Sequence, residues 1–100
     1  MLGYYDYLVA STYPNPDQTQ MLKVAPNPAV DTFRFEFQGL NSNATLMIFD
    51  MGGRLVCEQP WRKGENQLQW DATTAPAGHY QAVLVVNKKR LASIGIIKGD

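Results

Sequence analysis

The tightest constraint on this chain is the stretch Phe33-Arg34-Phe35-Glu36-Phe37, in which three phenyl rings alternate with two charges. A β-strand projects successive side chains to opposite faces, so a period of two puts the rings on one side and the charges on the other. The segment therefore reads as a strand with one face in a core and one in water. Related short runs occupy Met21 to Ala25, Ala44 to Asp50, Arg54 to Gln59, Gln67 to Asp71, His79 to Val86 and Arg90 to Lys98, which predicts seven strands. Between them stand turn-forming clusters: Pro26-Asn27-Pro28, Gly39 to Asn43, Gly52-Gly53, Lys63 to Asn66, Pro76 to Gly78 and Asn87 to Lys89. Such short, regular spacing belongs to antiparallel meanders and sandwiches.

No helical stripe of useful length interrupts the pattern, so the expected fold is all-β, an immunoglobulin-like antiparallel β-sandwich of about seven strands. Two sheets face to face would bury Phe33, Phe35, Phe37, Leu46, Ile48, Leu68, Trp70, Tyr80, Ala82 and Leu84. Tyr80 to Val86 is apolar on both faces apart from Gln81, which predicts a strand central in its sheet. The final strand is similar, and its Ile94, Ile96 and Ile97 are expected in the core.

A chain of 100 residues, 45% of them hydrophobic, suits one domain. Nine basic residues balance nine acidic ones, so no net field gathers phosphates, and nucleic acid is not an expected partner. No apolar run approaches the roughly 20 residues of a membrane-spanning helix, and Met1 to Asp6 lacks the basic start of a signal peptide, so direct membrane insertion is not expected. Cys57 stands alone, without a partner for an intrachain disulfide or a zinc cluster. Residues 1–20 differ in character: Tyr4, Tyr5, Tyr7, Leu8 and Val9 precede a polar, proline-bearing stretch from Ser11 to Gln20. They read as a linker or the tail of an upstream region, with a strand pairing at the sandwich edge left open, and the domain proper as residues 21–100. A second Pro-Asn-Pro, at Pro14 to Pro16, is taken as linker composition.

Candidate chemistry is sparse. His79, the only histidine, has no neighbouring nucleophile pattern and reads as a surface or edge residue. Asp31, Asp50 and Asp71 lie in separate turns without the dense oxygen spacing of a calcium loop, so turn capping accounts for them. Trp70 alternates with Leu68 and is expected in the core. Trp61, between Pro60 and Arg62, is the one aromatic expected to be exposed, as a cap over the sandwich edge or a platform for a sugar ring. Lys88-Lys89-Arg90 reads as a charged turn that discourages edge pairing, with docking as its functional alternative. No catalytic, cofactor or metal residue is expected, and the chain is not expected to be an enzyme.

The hairpin Asp50-Met51-Gly52-Gly53-Arg54 is physically sufficient as a turn, since the carboxylate accepts backbone N–H bonds and a glycine supplies positive φ. Its combination with other punctuation is less common: Lys23-Val24-Ala25-Pro26-Asn27-Pro28-Ala29, then Met47 to Arg54, then Asn66 to Asp71, then Gly78-His79-Tyr80, then an apolar strand reaching Lys98. In that order and spacing the chain resembles the type A C-terminal sorting domain of the type IX secretion system of Bacteroidota, from Met21 to the end. The matching positions are Pro26, Asn27, Pro28, Asp50, Gly53, Arg54, Gly78, Tyr80 and Lys98. Two departures stand out: Ala25 where the family usually has an aromatic, and Gly99 and Asp100 beyond the basic Lys98.

The resemblance implies a secretion signal that addresses a larger cargo to an outer-membrane translocon, through the periplasm to the cell surface or beyond, often with removal by a sortase-like peptidase. On it, processing is expected in residues 10–20, and the signal in the last strand: Arg90, Leu91, Ile94, Ile96, Ile97 and Lys98. The rival expectation is an immunoglobulin-like structural or carbohydrate-binding accessory module. A dimer paired through edge strands is a further possible association.

Overall fold

In the computed structural model, which describes residues 22–100, the alternating runs become seven strands. They are β1 (Lys23–Ala25), β2 (Thr32–Glu36), β3 (Ala44–Asp50), β4 (Leu55–Trp61), β5 (Gln67–Asp71), β6 (Gly78–Val86) and β7 (Lys89–Lys98). One antiparallel sheet has the order β1-β2-β5 and the other β4-β3-β6-β7. The chain leaves the first sheet after β2, returns to it for β5 and leaves again for β6. That connectivity is the expected immunoglobulin-like sandwich.

Alternation does what the phenylalanines require. Phe33 and Phe35 point into the space between the sheets and are fully buried, as are Leu46 and Ile48 from β3 and Leu84 from β6. Phe33 lies opposite Trp70 on β5 with the rings stacked 5.7 Å apart, and Trp70 meets Tyr80 of the other sheet edge-on at 5.6 Å. The first contact lies within the smaller sheet and the second joins the two sheets across the core, each adding about 0.5–1.5 kcal/mol beyond burial. The Tyr80 hydroxyl donates to the Pro76 carbonyl, so the ring also fastens the corner by which the chain crosses from β5 to β6. On the opposite face of β2, Arg34 and Glu36 form an exposed ion pair at 3.5 Å, which contributes little.

Strand β6 runs between β3 and β7, the central position its two apolar faces predict. Strand β7, similar in composition, is instead an edge strand. Its two rows therefore differ: on the inward row Ile96 is buried and Ile94 half-buried, while Ile97, expected in the core, is on the outward row and 41% exposed. Ile97 is out of phase with Ile96 and lies beside the exposed His79 of β6, on the sheet's outer surface. Leu68 is only half-buried for a related reason, since β5 is the edge of the smaller sheet.

Trp61 departs most from expectation. It is the last residue of β4 rather than part of a connection, and it is fully buried. Across the ladder stands Ala44, whose small side chain leaves room for the indole, and the ring nitrogen donates to the Glu65 carbonyl at 2.7 Å. Inward-facing positions of β4 run Cys57, Gln59, Trp61, and the polar Gln59 hides that period. Pro60, next to it, sits on the outer strand of its sheet, where a missing N–H is tolerated.

Candidate recognition site at one end of the sandwich

The hairpin between β3 and β4 closes as its residues dictate. Asp50 Oδ1 accepts the N–H groups of Gly52 and Arg54, each at 2.9 Å, while Gly53 at φ 86° makes the turn that a Cβ would strain. Arg54 reaches back to Asp50 at 3.5 Å, an exposed pair of small energetic weight. Asp71 is committed in the same way to its own turn. A hydrogen bond from the Thr73 hydroxyl, then one from its backbone N–H, hold the Asp71 carboxyl below its ordinary value.

Ladder register puts the hairpin next to other motif positions. Asp50 lies opposite Tyr80, Tyr80 opposite Ile96, and Gly78 opposite Lys98. Adjacent strands are about 4.8 Å apart, so the hairpin, the start of β6 and the end of β7 share one end of the larger sheet. Lys98 faces inward there and is 6% exposed. Gly78 across from it has no side chain to contest the space, and the Lys98 ammonium donates to the Gly99 carbonyl at 3.0 Å. The apolar stem is thus buried with the charged tip turned to a polar group.

Pro26-Asn27-Pro28, in the connection from β1 to β2, joins the same end. The Asn27 side chain accepts the Ile97 N–H on Oδ1 at 2.9 Å and donates from Nδ2 to the Gly95 carbonyl at 3.2 Å. Only one orientation of the amide satisfies both, since a donor must face Gly95 and an acceptor must face Ile97. Both adjoining prolines follow cis peptide bonds. Ala29 continues the contact with a parallel bridge to Lys98, donating to the Ile97 carbonyl at 3.1 Å and accepting from the Gly99 N–H at 2.8 Å. Four backbone groups along the outer edge of β7 and just past its end, from Gly95 to Gly99, are thereby engaged.

Arg90 and Leu91 do not belong to this end. Eight residues of strand, at about 3.3 Å each, separate Arg90 from Lys98. Leu91 is the extra residue of a β-bulge, unpaired between Ala92 opposite Leu84 and Arg90 opposite Val85, and is 45% exposed. Among the described residues no cluster of three or more His, Cys, Asp or Glu side chains is placed to hold a metal. The expectation of Trp61 as a sugar platform is overturned by its complete burial. The stretch expected to be processed, residues 10–20, and the second Pro-Asn-Pro lie outside the described residues.

A family model described as the secretion system C-terminal sorting domain matches residues 23–98, from the first residue of β1 to the last of β7. No curated protein matches the chain. Sorting domains of this kind are non-catalytic, and their role as secretion signals implies export to the cell surface or the extracellular space. A seven-stranded sandwich whose punctuation converges on the end of the last strand, matched over its whole extent, belongs to the C-terminal sorting domain family of the type IX secretion system.

Proposed function

We propose that this domain works solely by being bound, performs no catalysis, and is recognised by the outer-membrane translocon through its folded surface at the end of β7. The observation that carries the reading is the convergence of Pro26 to Pro28, Asp50 to Arg54, Gly78 to Tyr80 and Lys98 on one end of the sandwich. Asn27, Asp50, Gly53, Tyr80 and Lys98 each have a structural duty there, and together they support the end of a strand that a protein partner can read. The cargo passes through the periplasm, and a sortase-like peptidase then cuts within residues 10–20.

The test is a fusion of the full chain behind a periplasmic reporter in a host with the secretion system. Arrival of the reporter at the surface supports the reading, and retention in the periplasm overturns it. Mass spectrometry of the released cargo locates the cut, and a cargo terminus beyond Pro28 would rule out processing before the sandwich. Pairing of copies through the larger sheet is opposed by several local features: a bulge at Val56 and Pro60 on β4, and the Leu91 bulge and the Asn27 contacts on β7. An edge-strand dimer is left to β1 and β5 of the smaller sheet, and sedimentation at rising concentration tests for it.

A further inference from the structure

We infer that Asn27 is a positioning residue of the sorting signal: its side-chain amide clamps the outer edge of β7, so the end of that strand is presented as a fixed face and not as a free edge. The inference rests on the sorting reading and adds how the signal is held. An edge strand normally offers its N–H and C=O groups to any extended chain that approaches. Here the Gly95 carbonyl and the Ile97 N–H are taken by one amide, and the Ile97 carbonyl and Gly99 N–H by Ala29. Strand addition at this end is therefore blocked, while the outward side chains remain available. Ile97 is 41% exposed and Val30, next to Gly99, is 52% exposed. A reader of this end meets side chains from two distant parts of the sequence, held in register by Asn27.

Asn27 is exposed and its bonds span 68 and 70 positions, so no local element needs them. Replacing it should loosen the end of β7 without dismantling the core. In the full chain fused to the reporter, Asn27→Ala should speed amide exchange at Ile97 by tenfold or more and lower surface delivery severalfold. Asn27→Asp keeps the acceptor for Ile97 and loses the donor to Gly95, and it should fall between the two. Trp61→Phe, at the opposite end of the sheet, serves as a stability control: it should lower the melting temperature at least as much and leave delivery near that of the unmodified chain. Faster exchange at Ile97 with undiminished delivery would overturn the inference, as would equal loss of delivery in the Trp61 variant. An unmodified fusion that never reaches the surface would overturn the sorting reading itself, and this inference with it.

Discussion

At Trp61 a single side chain does the work of an end-plug. The indole fills the space left opposite Ala44, and its nitrogen satisfies the Glu65 carbonyl in the turn that leads to β5. Truncation removes both the packing and the bond. Trp61→Ala is expected to destabilise the domain by about 3–5 kcal/mol, the range for a large aromatic leaving a cavity. Since a whole domain of this size is stable by roughly 5–15 kcal/mol, that loss approaches unfolding. Trp61→Phe keeps most of the volume and leaves one carbonyl without its donor, at a cost of about 1–3 kcal/mol. Urea midpoints of the two variants check the order. A Trp61→Ala protein as stable as the parent would mean that the indole is not a core residue at all.

At the level of elements, the hairpin joining β6 to β7 carries a local conflict between sequence and backbone. Its two loop residues, Asn87 and Lys88, adopt φ of 53° and 64°, the doubly positive pattern of a type I′ turn. Asparagine tolerates that conformation, but lysine has no side-chain bond to offset the crowding of its Cβ. Lys88→Gly is therefore expected to stabilise the domain by about 0.5–1 kcal/mol, the relief of left-handed strain less the extra freedom glycine has when unfolded. A rise in melting temperature of a few degrees would show it. Elements of this kind were legible from the sequence because alternation and turn residues are local signals: Phe33 to Phe37 announces β2, and Asp50 to Arg54 announces its hairpin. The end of β4 was obscured by Gln59, a polar residue at an inward position. The edge location of β7 was not legible either, because apolar composition on both faces reads alike for β6 and β7, and only pairing distinguishes them. Least legible was the Asn27 clamp. A side chain bonded to backbone 68 and 70 positions away leaves no period or spacing to detect.

For the molecule as a whole, the last strand is part of the scaffold and, on the proposed reading, also the signal, and truncation separates those duties by length. Removing residues 94–100 takes away Ile96, which is fully buried, and Ile94, which is partly so, together with half of the ladder to β6. Burial of those two side chains alone is worth about 3–5 kcal/mol, before any hydrogen bond is counted. Strand β6 would then present Tyr80 and Ala82 without their neighbours, and the shortened chain is expected to lose its cooperative melt and aggregate. Removing only Gly99 and Asp100 is a different change. Strand β7 keeps all its pairing to β6, Asn27 keeps both bonds, and what goes is the Gly99 N–H on Ala29 and the carbonyl that receives the Lys98 ammonium. The loss of two bonds near the surface is expected to cost about 1–2 kcal/mol and to leave the melt cooperative. Circular dichroism melts of the two truncations should therefore differ in kind, one without a transition and one shifted by several degrees. If the two-residue truncation also lost its transition, the Ala29 to Gly99 contact would be a keystone of the sandwich, and the end of β7 could not vary as a signal independently of the fold.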